Sequence, residues 1–225
     1  MSDLAGTATT AHVGARENVA EQFEDSEQQY QAASLGMWLF LVGEIMFFAG
    51  LFTVYVVYRS AYAQAFAQVS RHLDIKLGTI NTLVLITSSL TMALAVRAAA
   101  LGARRKLVSS LLGTILLGLL FLGIKGIEYH QEWIRGLMPG AGFHYAGSGA
   151  QHAELFFSIY FAMTGLHAAH MVVGIVLLAV VTIMSARGRF GAAYSTPVEM
   201  AGLYWHLVDL IWIFLFPLLY LLGRH

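Results

Sequence analysis

Residues 38–50 read WLFLVGEIMFFAG, and they place one carboxylate, Glu44, inside a run that is otherwise uncharged from Leu35 to Tyr58. A bilayer core about 30 Å thick is crossed by roughly 20 apolar residues in a helix. The run therefore predicts a transmembrane helix with an acidic residue near its middle. A charge at that depth is costly and is rarely kept without a partner or a task.

The rest of the sequence repeats this apolar pattern. Of the 225 residues, 58% are hydrophobic and 12% are charged, which leaves too little polar surface for a water-soluble domain. We predict an all-α polytopic membrane protein, a bundle of five transmembrane helices that fills residues 35–225. The predicted spans lie near Leu35–Tyr58, Leu77–Val96, Leu107–Tyr129, Leu155–Ala186 and Met200–Gly223.

The segments outside the spans indicate orientation and exclude one class of partner. Residues 1–34 are acidic and have no apolar stretch, which predicts a solvated, mobile tail. The basic turn at residues 104–106 strengthens a small Lys/Arg excess on the side of the N-terminus, so we predict a cytoplasmic N-terminus and an outer C-terminus. Residues 61–73 fit either a short interfacial helix or a plain linker. A net charge of zero gives no basic face for a nucleic acid.

Ionisable residues inside the spans are the candidates for function. The sequence has no cysteine, which excludes thiolate-bridged copper, c-type haem and iron–sulfur clusters. Whatever this chain does, it does without thiols. The ionisable residues in the predicted spans are Glu44, Lys125, Glu128, His167, His170, His206 and Asp209.

Two pairs in this set are spaced at i, i+3. Lys125 and Glu128, in GIKGIEY, fit a helical ion pair near the outer end of a span, with Lys125 extending toward the membrane surface. His206 and Asp209, in YWHLVDLIW, fit an imidazole that donates to a carboxylate. The second pair could handle protons or anchor a helix, and either pair could be purely structural.

The histidines of TGLHAAH invite a metal or haem hypothesis. His167 and His170 share a helix face, and His206 and Glu44 could converge with them. A hydrogen-bonded polar cluster is the favoured alternative, so we predict no metal bound by this chain.

Glycines on the first span predict a packing surface. Gly36, Gly43 and Gly50 recur every seven residues and form a strip where another helix can approach closely. Glu44 lies one residue round the helix from this strip, so we expect it to face a neighbouring helix or the groove beside it, and not bulk lipid.

Five motifs together resemble a known family. In chain order they are WLFLVGEIMFFAGLF, INTLVLITSS, GIKGIEY, TGLHAAHMVVG and YWHLVDLIWIFLFPLLYL. This series resembles subunit III of haem–copper oxidases over nearly all of residues 35–225. The match is to the bacterial five-helix form, which lacks the first two helices of the seven-helix members.

The resemblance implies a partner of an enzyme. Subunit III carries no redox centre and packs on subunit I, which holds the haems and copper, while subunit II holds a dinuclear copper in cytochrome c oxidases. In this family a V-shaped cleft holds phospholipids, and the subunit supports proton uptake and protects the enzyme during turnover. The expected setting is the bacterial inner membrane. A quinol oxidase subunit, a nitric-oxide-reductase-associated relative and a small proton-coupled transporter remain as alternatives.

The resemblance also assigns expected roles to residues, none of them catalytic. Glu44 matches the buried carboxylate of the family, and His167 and His170 match its paired histidines. The YWHxVD motif of the family corresponds to Tyr204, Trp205, His206 and Asp209. Four residues are candidates for contact with lipid: Arg187 and Arg189 at the end of the fourth span, and Tyr204 and Trp205 in the motif.

Overall fold

The protein is all-helical in a computed structural model that describes residues 22–140, 142–145, 150–191 and 194–222. Within these ranges the extended structure is limited to an isolated bridge between Gly191 and Tyr194. The predicted all-α class is confirmed. The helices are α1 (Ser26–Ala61), α2 (Ala63–Ser70), α3 (Ile75–Ala100), α4 (Arg104–Ile134), α5 (Ala150–Ala186) and α6 (Thr196–Phe216), which continues into a π-helical turn (Pro217–Leu221).

Five of these helices are long and apolar enough to cross a membrane, as predicted. They are α1, α3, α4, α5 and α6 with its π-helical turn. The helix α1 begins at Ser26, before the predicted boundary at residue 35, because Asp25 caps it by accepting a hydrogen bond from Gln28 N at 2.7 Å. The predicted tail is therefore shorter on its C-terminal side, and its residues 1–21 lie outside the described residues.

The helix α6 lies at the centre of the bundle and α1 at its edge. Over the 18 apolar residues that define each span, 61% of the residues are buried in α6 with its π-helical turn. The corresponding share in α1 is 17%. The helix α1 is held near its C-terminal end, where Tyr55 Oη donates to Leu218 O at 2.8 Å and the Arg59 guanidinium donates to Leu222 O. These carbonyls lie in and just after the π-helical turn, where the regular α-helical bonding has ended.

The segment predicted as either an interfacial helix or a linker is helical. It forms α2, and its apolar residues Phe66, Val69 and Leu73 are each no more than 2% exposed. The Phe66 ring packs edge-to-face against Phe156 of α5 at 5.3 Å. The helix is therefore fixed to the bundle by its buried face.

Glycines allow close helix packing in the interior of the bundle, whereas the strip predicted on α1 is not used by the described helices. A Cβ atom on Gly36, Gly43 or Gly50 would have no neighbour within 4 Å, because this face of α1 points away from the described chain. Close approach occurs in the interior, where a Cβ on Gly118 or Gly174 would lie 2.8 Å or 3.0 Å from the Trp205 ring. The bundle closes around this tryptophan.

Candidate functional site

Glu44 is paired with His170 across helices α1 and α5. The Oε2 atom of Glu44 lies 2.9 Å from His170 Nε2, and His170 Nδ1 lies 2.9 Å from Leu166 O. A carbonyl can only accept, so Nδ1 carries a proton and Nε2 faces the carboxyl group. A single further proton must therefore lie between the carboxyl and the imidazole, on one or the other. The geometry is that of a carboxyl–imidazole hydrogen bond between two helices.

The pair lies at the margin of the bundle. The side chains of His170 and Glu44 are 18% and 21% exposed, so a neighbouring molecule can reach them. Phe48 packs edge-to-face on His170 at 5.2 Å, and Tyr204 Oη donates to His170 O at 3.0 Å. Helices α1 and α5 therefore hold the imidazole, and α6 bonds to the backbone of the same residue.

His167 does not join this pair. It is 1% exposed, and its ring lies 5.5 Å from the Phe121 ring and 5.2 Å from the Trp212 ring. Neither ring nitrogen makes a hydrogen bond to a described residue. The two histidines of TGLHAAH therefore have different surroundings, one aromatic and one acidic.

His206 and Asp209 do not bond to each other, contrary to the expectation from their spacing. The His206 ring turns toward α3, where its Nδ1 lies 2.8 Å from Ser89 Oγ. Asp209 is 4% exposed, and neither carboxylate oxygen makes a hydrogen bond of normal geometry to a described residue. The i, i+3 spacing puts both on one face of α6, but the partner of His206 comes from another helix.

Lys125 and Glu128 form the centre of a buried polar network. Lys125 Nζ lies 2.9 Å from Glu128 Oε2 and 3.0 Å from both Tyr160 Oη and Tyr220 Oη. Glu128 Oε1 accepts from the same two hydroxyls, at 2.9 Å and 2.5 Å. The network joins α4, α5 and the π-helical turn.

The position of Lys125 corrects one expectation. Its side chain is 4% exposed and does not extend to the surface of the bundle. The reason is that Tyr160 and Tyr220 supply acceptors inside the bundle, and four aromatic rings surround the ammonium group at 5.1–5.7 Å. The sequence reasoning missed both tyrosines, although phenols away from the ends of a span are a usable signal of a buried partner.

Two of the four lipid-contact candidates are buried. Trp205 is 0% exposed, with its Nε1 donating to Ser88 Oγ at 3.0 Å, and Tyr204 is 4% exposed. Their rings pack inside the bundle because glycines of α4 and α5 leave room for them. Arg187 and Arg189 are exposed at the C-terminal end of α5 and remain accessible to a lipid.

The three or more converging ligands that a metal site needs do not come together in the described part of the chain. No group of three or more His, Asp or Glu side chains there could hold a metal ion. Glu44 and His170 supply two groups, whereas His167 and His206 face other partners. The fold separates the predicted polar set into a Glu44–His170 pair, a Lys125–Glu128 network, a buried His167, and His206 and Asp209 beside Ser89.

Comparisons with known proteins agree with the helix plan. The family model of cytochrome c oxidase subunit III matches residues 17–224. Cytochrome c oxidase subunit 3 of Thermostichus vulcanus is 35% identical over 194 residues, which cover 84% of this chain and 87% of the relative. The Corynebacterium diphtheriae protein of that name is 32% identical over 218 residues, covering 94% of this chain and 98% of the relative. The match extends over all five spans, so this chain belongs to the cytochrome c oxidase subunit III family.

Proposed function

We propose that this chain is the non-redox subunit III of a bacterial cytochrome c oxidase, which reduces oxygen to water and pumps protons. It packs on subunit I, which holds the haems and copper, in an assembly with subunit II. It lies in the bacterial inner membrane with its N-terminus in the cytoplasm. Relatives named cytochrome c oxidase subunit 3 in bacteria, including Bacillus subtilis at 32% identity over 192 residues, support this assignment.

The Glu44–His170 pair is the observation that carries a proton-linked role. The two groups are 2.9 Å apart near the middle of their spans, and both are partly exposed at the edge of the bundle. A proton held there can pass to a neighbouring subunit without crossing the interior of this chain. The subunit thereby supports proton uptake by subunit I and slows inactivation during turnover.

Bound phospholipid is the second part of the proposal. The outer face of α1 is apolar and open, with Leu39 67% exposed and Met46 70% exposed. Acyl chains pack on this face, and a phosphate group can pair with the exposed guanidinium of Arg187 or Arg189. Lipid held at α1 would also shield the Glu44–His170 pair from bulk water.

The substitution Glu44→Gln tests the proton role in the assembled oxidase. A glutamine keeps an acceptor for His170 but cannot take up a proton. We expect unchanged haem content and subunit stoichiometry, and severalfold fewer turnovers before activity is lost. The number of turnovers is measured by following oxygen consumption until the enzyme is inactive.

Glu27→Gln is the matched control, because Glu27 is an exposed carboxylate on the same helix whose bond to Gln31 survives the change. A Glu44→Gln oxidase with normal composition and a normal turnover lifetime would contradict the proton role. Loss of the chain from the complex before turnover would instead assign Glu44 to anchoring. Failure of the wild-type chain to co-purify with a haem protein would refute the subunit assignment itself.

A further inference from the structure

A groove that contains two cations lies at the end of the bundle where α3 turns into α4. This α3–α4 groove encloses about 350 Å³. Its charged members are Arg97 in the last turn of α3 and Lys106 in the first turn of α4. Because residues 101–103 join two membrane-spanning helices directly, both charges lie at the same surface of the membrane. The other residues that line the groove are apolar or carry hydroxyls: Leu94, Ala98, Leu101, Ala103, Ser109 and Ser110.

Neither cation of the α3–α4 groove is neutralised by the described part of the chain. Arg97 and Lys106 are exposed, and neither forms an ion pair with a described residue. The residues that line the groove include no carboxylate. By contrast, the Arg104 guanidinium donates to Ala186 O at the end of α5, so that arginine is used within the chain. The helix α4 also begins without a side-chain cap or an acidic residue in its first turn, so its dipole adds to the positive charge.

A row of exposed leucines leads from this charge toward the middle of the membrane. Leu83, Leu90 and Leu94 lie on the same face of α3 as Arg97, because they precede it by 14, seven and three residues. They are 60%, 60% and 48% exposed. At about 1.5 Å per residue the row extends about 21 Å, enough to cross one leaflet of a hydrocarbon core about 30 Å thick. The groove and the row together fit an amphiphile that has its charge at the membrane surface and an apolar chain beneath it.

We propose that the α3–α4 groove binds the phosphate of an anionic phospholipid, whose acyl chain lies along the leucine row of α3. A phosphodiester can accept two hydrogen bonds from the guanidinium of Arg97 and pair with the ammonium of Lys106 as a point charge. A zwitterionic headgroup brings a cation of its own, whereas a headgroup of net negative charge compensates the cations of the groove. A free phosphate would leave the leucine row without a partner. This inference goes beyond the proposed lipid contacts of α1, Arg187 and Arg189 and does not depend on them.

A photoreactive lipid tests the site in the assembled oxidase. The probe is phosphatidylglycerol with a diazirine in its acyl chain, added to phosphatidylcholine vesicles that contain the whole complex. Irradiation should label the α3 peptide that spans residues 83–94, and unmodified phosphatidylglycerol should compete. Phosphatidylcholine with the same diazirine should label this peptide severalfold less, and an excess of inorganic phosphate should not lower the labelling.

Three results of this experiment would overturn the proposal. Equal labelling by the two lipids would reduce the contact to general exposure to the bilayer. Displacement of the probe by inorganic phosphate would leave an anion site without a lipid. Absence of label from α3 would mean that another protein covers the row or that the groove is empty. The labelling can also be measured on the chain without a haem partner, so failure of the site and failure of the subunit assignment are separate results.

Two neighbouring cations of α4 provide a matched pair of variants. Lys106→Gln removes a charge from the groove, and Arg105→Gln removes another exposed charge of the same turn that lies outside it. One basic residue near an anionic membrane surface corresponds to about a fivefold change in binding. We expect the concentration of unmodified phosphatidylglycerol that halves the labelling to rise about fivefold in Lys106→Gln. It should change little in Arg105→Gln.

The second cation of the groove should add to the effect. Combining Arg97→Gln with Lys106→Gln should raise the halving concentration about twenty-five-fold, because two such contributions multiply. Both side chains are exposed, so the variants are expected to keep the fold. Equal effects of Lys106→Gln and Arg105→Gln would show that only the overall surface charge matters, and an unchanged halving concentration in the double variant would exclude the groove. Either result overturns the proposal.

Discussion

Lys125→Met should destabilise the bundle strongly, and a second substitution should restore it. The change removes the ammonium group that lies 2.9 Å from Glu128 Oε2. Lys125 is only 3% exposed, so water does not replace it. Glu128 keeps its two bonds from Tyr160 and Tyr220 through Oε1, but Oε2 is left without a donor inside the bundle. The variant therefore buries a charge whose counter-charge has gone.

The magnitude follows from this geometry. Breaking a buried ion pair by removing one partner destabilises a protein by about 3–5 kcal/mol. The two phenol bonds that remain on Oε1 favour the lower part of this range. Replacing both members of a buried pair with apolar residues is often neutral or stabilising. In Lys125→Met with Glu128→Met, the hydroxyls of Tyr160 and Tyr220, 3.2 Å apart, can still bond each other. We expect the double variant to recover most of the lost stability.

The assay is equilibrium unfolding of the chain in mixed micelles with increasing SDS, followed by tryptophan fluorescence. Lys106→Met is the control, because Lys106 is an exposed lysine on the same helix and its loss should change the free energy of unfolding by no more than about 0.5 kcal/mol. The reasoning is refuted if Lys125→Met unfolds like the wild type, or if the double variant is no more stable than the single one.

Two further substitutions test packing and capping. Gly118→Ala should destabilise by about 1–3 kcal/mol, because its Cβ would lie 2.8 Å from the Trp205 ring, whereas Gly123→Ala, with nothing within 4 Å, should stabilise by about 0.5–1 kcal/mol. The same SDS titration measures both, and equal shifts would contradict the packing argument. Asp25→Ala removes the 2.7 Å cap bond to Gln28 N and should lower helicity at the start of α1, with a cost of about 0.5–2 kcal/mol. Unchanged amide exchange in that turn would show that the cap is dispensable.

The membrane architecture was predictable because hydrocarbon imposes one rule on every span. Each span needs about 20 apolar residues, so an apolar run of that length in the sequence locates the helix. The ends of the helices were harder to predict. The helix α1 begins at Ser26, among polar residues, because Asp25 caps it there, and hydropathy gives no sign of such a cap.

Partners of the polar groups were only partly predictable. Spacing shows that His206 and Asp209 share a face of α6, but not that Ser89 of α3 lies opposite His206. The glycine strip that includes Gly36 shows the same limit. The spacing of the glycines predicts a helix face without bulky side chains, but not whether the helix that packs on it belongs to this chain. Pairings between helices depend on how the helices are arranged, and a single sequence contains no direct record of that arrangement.

The contacts of α1 with the last described turn have a consequence for how the protein is made. The helix α1 is synthesised before Leu218 and Leu222, yet Tyr55 and Arg59 bond to the carbonyls of these later residues. Until those residues have been made, Tyr55 and Arg59 have only each other as partners at that end of α1, through a bond of 3.3 Å. A ribosome that stalls before residue 218 leaves α1 without these two bonds, although its contacts with His170 of α5 can already form.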